Sequence, residues 1–307
     1  MVRNKLQQTD RIKKNIPLFI MAAPALIFLI MFNYVPMYGI ILAFKDYSYR
    51  DGIWGSDWVG IENFKYVFGS GEITRTIGNT VLYHIAFTAV ITLGAILLAT
   101  MLFFIKSKHA ANFYQQATIL PFMISYAVIS HIVYIFLKND GGLVNSMLTS
   151  LGTKTVSWYM EPKFWPFILV FVNAWFGIGI KAVYYFSAYL AVDESQFEAA
   201  DLDGASRWRK IINIMLPSIS STVCIFLILD LGNILASDFS LFYSVPRDSS
   251  ALYSVTDVLG TYTYRGLTSG DISTTTALGL FTGVVTTIMT LLVNFIVKKI
   301  SPENSLL

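Results

Sequence analysis

Glu198-Ala199-Ala200, Gly204, Ile214 and Leu216-Pro217 stand at fixed intervals in a stretch that opens with charge and closes in apolar residues. The chemistry these residues suit is mechanical. Asp193, Glu194 and Glu198 favour the positive end of a helix, and Ser195-Gln196-Phe197-Glu198 has the spacing of a capping box. Gly204, after Asp203, accepts the left-handed backbone that ends a helix. Ala205, Arg207 and Trp208 then lead into the next apolar run. The spacing predicts a short charged helix starting near 193–195 and stopping at a turn near 204. Phe197 and Ala200 share one face, which Asp201 interrupts. A helix this short does not hold alone in water. It needs a partner surface, or it lies on a membrane as an ordinary amphipathic loop.

A second set of polar residues sits where polarity is costly. Lys181, Asp230 and Asn294 fall inside apolar runs, with Asn173, Asn233 and Asp238 nearby. A charge in hydrocarbon usually faces a cavity or a partner. One reading is that Lys181 and Asp230 each reach outward to opposite membrane surfaces. The other is a polar path for a hydrated solute. The two lie on consecutive runs of opposite direction, so about 1.5 Å of rise per residue predicts different depths and no direct pair. Trp175, Tyr184 and Tyr185 add aromatic rings to the same region. Catalytic constellations are missing. The chain has no G-x-x-x-x-G-K-[ST] phosphate cradle and neither G-x-S-x-G nor H-E-x-x-H. His84, His109 and His131 have no metal-ligand spacing. Cys224, the single cysteine, excludes an intrachain disulfide. No cofactor or metal is expected on this chain, and it is not expected to be an enzyme.

The elements that must position these residues are membrane helices. Of the 307 residues 55% are hydrophobic and only 13% charged, about half the charge of a soluble chain. The apolar residues form continuous runs of roughly twenty, the length that crosses the hydrocarbon core as a helix, and they do not alternate as barrel strands would. Six spans are read at 17–44, 77–105, 114–137, 164–190, 211–236 and 277–297. The first is too long for a secretion signal. Pro24, Pro36, Pro121 and Pro217 fall within spans, where neighbours can satisfy the freed carbonyls. One set of connecting segments holds 12 Lys and Arg in 54 positions, the other nine in 98. The denser side is cytoplasmic. It carries residues 1–16, the 193–210 segment and the tail 298–307, around a membrane domain spanning 17–297. These basic clusters suit anionic lipid better than nucleic acid. On the other side, Trp54, Trp58, Phe64, Tyr66, Phe68, Trp158, Tyr159 and Trp165 read as an interfacial belt, or as a docking or sugar-stacking surface.

The pattern from Glu198 to Pro217 resembles the EAA signature of the membrane subunit of binding-protein-dependent ABC importers. Pro24 to Gly39, Ala43 to Tyr47, Trp58 to Phe64 and the tail Pro302 to Leu307 are similar to one branch, the polysaccharide and complex-oligosaccharide permeases of the LplB/YteP type. The resemblance covers nearly the whole chain. It implies an all-α polytopic protein of six transmembrane helices with the MetI-like permease fold and a cytoplasmic coupling helix between helices 4 and 5. Glu198, Ala199, Ala200, Asp203, Gly204, Ala205, Arg207 and Trp208 would then meet an ATPase. It further implies a second homologous permease, two ATPase subunits carrying ATP and Mg, and an extracellular lipid-anchored solute-binding protein. The setting would be a bacterial plasma membrane with both termini cytoplasmic. The substrate would be an oligosaccharide, moving along Asn173, Trp175, Tyr184, Asp230, Asn233 and Asp238. The alternatives are an ABC permease for a non-sugar solute and an ion-coupled secondary transporter. The second would be expected to show internal repeats, and none is evident.

Overall fold

The computed structural model describes residues 2–300; residue 1 and residues 301–307, with the tail motif Pro302–Leu307, lie outside the described residues. In chain order the main elements are α1 (Val2–Leu29), β1 (Lys45–Asp46), β2 (Asp57–Trp58), α2 (Gly71–Phe103), α3 (Lys108–Ile119), α4 (Tyr126–Leu137), α5 (Trp165–Leu190), α6 (Glu194–Leu202), α7 (Arg207–Lys210), α8 (Ser220–Gly232), α9 (Phe239–Ser244) and α10 (Ile272–Ile300). Among the described residues, four stretches are long and apolar enough to cross a membrane: Pro17–Phe44, Gly71–Phe103, Pro162–Leu190 and Ile272–Lys299. The count rises to six if each of two bent helix pairs is one span.

Both bent pairs depart from the straight spans expected at 114–137 and 211–236. Lys108–Met123 and Tyr126–Leu137 meet at 96°. Pro121 lies in a tight turn, Leu120–Met123, and Ile124 and Ser125 are extended. Proline lacks a donor and its ring crowds the preceding turn, so the helix stops there. Arg207–Ser218 and Ser220–Gly232 meet at 55°. Here a wide π-turn, Ile211–Met215, precedes Pro217. The same arrangement, Ile30–Tyr34 before Pro36, occurs in the first span. Widening the turn accommodates the proline ring without ending the helix.

The chain divides into two compact units, 1–67 with 270–280, and 68–269 with 281–307. In the first, β1 and β2 pair antiparallel, Lys45 opposite Trp58. Lys45 is buried, and its ammonium donates to the carbonyls of Ile53 (2.9 Å), Trp54 (3.1 Å) and Ser56 (3.1 Å). Those carbonyls satisfy the charge that burial strips of water. The Tyr47 amide donates to Ser273 Oγ at 2.8 Å, joining this hairpin to the first turn of α10.

In the second unit α2 and α5 run parallel, with Ile91 against Gly177 and Thr100 against Tyr189. Small residues allow the close approach: a Cβ at Gly94 would fall 2.5 Å from Ile178 Cδ1. One apolar cluster gathers Trp165, Leu169 and Val172 of α5 with Tyr83, Ile129, Leu241 and Phe242. Another gathers Ala95, Ala99, Ala182, Tyr185, Tyr189 and Met215. Trp165 and Tyr185 are therefore core residues, not belt or path. Trp165 is wholly buried and donates its indole N–H to the Trp158 carbonyl at 2.7 Å.

Candidate functional site

The 193–210 segment is a helix stapled at both ends. Asp193 is the N-cap of α6, its carboxylate accepting the Ser195 amide at 3.0 Å. That backbone hydrogen bond, then the Ser195 side chain, hold the Asp193 carboxyl below the usual carboxylate range. The expected Ser195 capping box is thus replaced by an aspartate two residues earlier, a better charge match for the helix end. At the other end Gly204 has φ +65°. The Ala205 amide donates to the Ala200 carbonyl at 2.8 Å and the Gly204 amide to that of Asp201 at 3.1 Å. This is a complete Schellman closure. Ser206 then caps α7 through the Arg209 amide.

The segment is tied to the rest of its unit through one side. The Phe197 ring packs on Phe103 at 5.2 Å. Arg207 lies over the Phe104 ring at 5.7 Å, and Lys210 meets Asp201 at 2.5 Å. Ala200 and Ala205 are half-buried on that side. Glu198, Ala199, Asp203, Gly204 and Trp208 are exposed, and so is Arg207 despite its contact with Phe104. Leu202 is 90% exposed and Trp208 66%. A charged helix thus offers a leucine and a tryptophan to whatever lies outside it.

Four of the six polar residues singled out in and near the spans, Asn173, Lys181, Asp230 and Asp238, line a cavity of about 340 Å³. It opens where α8 ends and residues 233–238 turn into α9. Asn173, Lys181, Asp230, Ser237 and Asp238 line it, with Thr80, Tyr83, His84, Phe87 and Thr88 of α2 opposite. Lys181 Nζ donates to Asp230 Oδ2 at 2.6 Å, which overturns the expectation of no direct pair. The depth argument treated 211–236 as one straight helix. The chain instead bends at Ile219, so depth counts from there. Asp230 lies ten residues past Ser220 and Lys181 nine before Leu190, roughly 15 and 14 Å along their helices. His84 Nε2 lies 2.6 Å from the Asp230 carbonyl. The Tyr126 hydroxyl donates to Asn173 Oδ1 at 3.1 Å. Val258 lines it too, in a stretch held to α2 where the Tyr83 hydroxyl donates to the Val255 carbonyl and the Leu259 amide to Thr80 Oγ1.

Three of the six residues expected along a path line this cavity: Asn173, Asp230 and Asp238. Three do not. Trp175 lines a separate apolar groove of about 520 Å³ with Ile132, Phe136, Phe167 and Phe171. Tyr184 is exposed and packs on Phe226 at 5.2 Å. Asn233 turns back to the Leu229 carbonyl at 2.8 Å. A helix that lines a cavity with one face must turn its others elsewhere. Thr80, His84, Thr88 and Ser237 are the lining residues that sequence reasoning missed. Histidine and threonine at i and i+4 in an apolar run, His84 and Thr88, were the available signal.

Residues 92–305 match the family model of the binding-protein-dependent transport system inner membrane component. This chain belongs to that family. The protein LplB of Bacillus subtilis is 32% identical over 95% of this chain and 92% of its own length. The polygalacturonan/rhamnogalacturonan transport system permease protein YteP of the same organism is 31% identical over 93% and 89%. A solved bacterial ABC transporter involved in the import of the acidic polysaccharide alginate contains a chain 30% identical to this one. It superposes with a TM-score of 0.86 over 96% of this chain and 99% of that one. The protein is therefore a multi-pass membrane component of an ABC importer that works with a solute-binding protein. It has the MetI-like permease fold and is not itself an enzyme.

Proposed function

We propose that this chain is one half of a translocation channel that passes an oligosaccharide or a polysaccharide fragment into a bacterial cell. A second, homologous permease completes the channel, and two ATPase subunits carrying ATP and Mg drive it. An extracellular lipid-anchored binding protein delivers the solute. Both termini, residues 1–16 and 298–307, are cytoplasmic, and 17–297 form the membrane domain, in line with the basic residues at 106–108, 207–210 and 298–299. The 193–210 segment docks on the ATPase.

The observation that carries this reading is the exposed side of α6. Leu202 is 90% exposed at the end of a nine-residue helix fixed by two caps and an aromatic contact. A rigid, capped element with an uncovered leucine can be pushed as a body by a partner. The saccharide rests on the relatives' names and on the hydroxyl and amide groups of the cavity, which suit a solute rich in hydroxyls. The test is co-purification of the chain with a tagged candidate ATPase, with Leu202→Cys as the site of disulfide cross-linking. Cross-linking to the ATPase is expected. An ATPase that never associates, or ATP hydrolysis by the isolated chain, overturns it.

A further inference from the structure

We infer that the cavity passes uncharged saccharide and rejects saccharide bearing carboxylates. This rests on the reading of the cavity as a substrate path. The charged side chains that line it are one ammonium, Lys181, and two carboxylates, Asp230 and Asp238. The ammonium is committed. Its Nζ sits 2.6 Å from Asp230 Oδ2, with its side chain only 12% exposed, and 5.4 Å above the Phe226 ring. His84 is committed as well, since a carbonyl only accepts and its Nε2 therefore gives its proton to Asp230 O. Asp238 is the exception. Its Oδ1 accepts the Leu241 amide at 3.2 Å as the N-cap of α9, the Tyr126 hydroxyl lies within hydrogen-bonding reach of the carboxylate, and no cation pairs with it among the described residues. The wall thus presents a carboxylate with no counter-charge, beside neutral acceptors and donors at Asn173, Thr88 and Ser237.

A sugar hydroxyl donates to a carboxylate and accepts from an amide or hydroxyl, so a neutral ring finds partners in this wall. A uronate does not. Its carboxylate would lie beside the exposed carboxylate of Asp238, where like charges repel even with solvent partly screening them. It could reach Lys181 only by displacing Asp230, which would leave that carboxylate unpaired. The chain is 30% identical to a subunit that serves an acidic polysaccharide, and the cavity chemistry argues for a different solute.

The test uses the assembled complex of both permeases and both ATPases, without binding protein, so that selection by the binding protein does not enter. The probes are an oligogalacturonate and its fully methyl-esterified form, of equal length and linkage, at pH 7.5. Binding and stimulation of ATP hydrolysis are measured for each. The ester is expected to bind about fivefold more tightly than the free acid, the effect of one like-charge contact that solvent partly screens. Asp238→Asn, which keeps a good N-cap, is expected to close most of that gap, and Asp238→Glu to preserve it. Equal or tighter binding of the free acid by the unaltered complex overturns the inference. So does a gap that Asp238→Asn leaves unchanged. If neither sugar binds and a solute without sugar rings drives the ATPase, the saccharide reading itself falls, and this inference with it.

Discussion

Lys181 and Asp230 bind each other across two antiparallel helices, Nζ to Oδ2 at 2.6 Å, 49 residues apart in the chain. Their side chains are 12% and 30% exposed. Neither is deep enough to be a fully desolvated pair, and neither is free in water. The pair fixes the end of α8 to the middle of α5 at the cavity wall. Removing one partner leaves a lone charge in a poorly solvated site. Lys181→Met and Asp230→Asn should each destabilise the assembled protein by about 1–3 kcal/mol, below the cost for a wholly buried pair because water still reaches Asp230. The double variant should recover much of the loss. A double-mutant cycle on thermal unfolding midpoints measures this, and strict additivity of the two losses would show that the pair contributes nothing.

The 193–210 helix should fail as a coupling element when its end is deformed. Gly204 has φ +65° with no atom within 4 Å of an added Cβ. A substitution there strains the backbone without a clash. Gly204→Val should cost about 1–2 kcal/mol locally and abolish most solute-stimulated ATP hydrolysis while the chain still reaches the membrane. Gly204→Asn, which tolerates the left-handed region better, should keep a substantial part of it. Glu198→Lys reverses an exposed charge and should also uncouple. Full stimulation in both Gly204→Val and Glu198→Lys would remove the segment from the coupling role.

This helix was legible in the sequence because its ends are local chemistry. An acidic residue opens it, a glycine closes it, and the glycine adopts the φ that the sequence reading required. The cap itself was misplaced by two residues, since both Asp193 and Ser195 can accept an amide and only the backbone decides which does. The spans were legible as apolar runs, but hydropathy is blind to direction. It could not register the 96° and 55° bends, and the error at the second carried through to Lys181 and Asp230. Trp165 looked like a belt residue because tryptophan suits both an interface and a core. Its indole partner, the Trp158 carbonyl, is seven residues away across an irregular segment that no periodicity describes.

The crossing of α3 and α5 leaves no room for a side chain at Gly179. A Cβ built there would lie 1.8 Å from the Thr118 carbonyl oxygen, a backbone atom that cannot swing away. Gly179→Leu should therefore block assembly, and even Gly179→Ala should cost about 1–3 kcal/mol through forced separation of the helices. Gly78, inside α2, has nothing within 4 Å of an added Cβ. Gly78→Ala should be neutral or stabilise by about 0.5–1 kcal/mol, through helix propensity alone. Membrane yield and the unfolding midpoint of the two alanine variants settle the contrast; equal behaviour would mean that α3 moves freely against α5.

The last test separates path from packing on a single helix. Asn173 and Trp175 are two residues apart on α5 and so face different ways. Asn173 lines the polar cavity and accepts the Tyr126 hydroxyl. Trp175 faces the apolar groove beside Phe167 and Phe171. Removing the amide takes one of two acceptors from the tyrosine hydroxyl, leaving Asp238, and strips a hydrogen-bonding group from the cavity wall. Asn173→Ala should therefore lower uptake several-fold, a loss of about 1 kcal/mol or more in transition-state stabilisation, with the complex intact. Trp175→Ala should leave the uptake per assembled complex within about twofold of wild type, and act, if at all, on the amount of complex recovered from the membrane. Uptake normalised to complex recovered by affinity purification distinguishes the two. If Trp175→Ala lowers normalised uptake and Asn173→Ala does not, the solute runs along the apolar groove, and the polar cavity is a structural feature of the bundle.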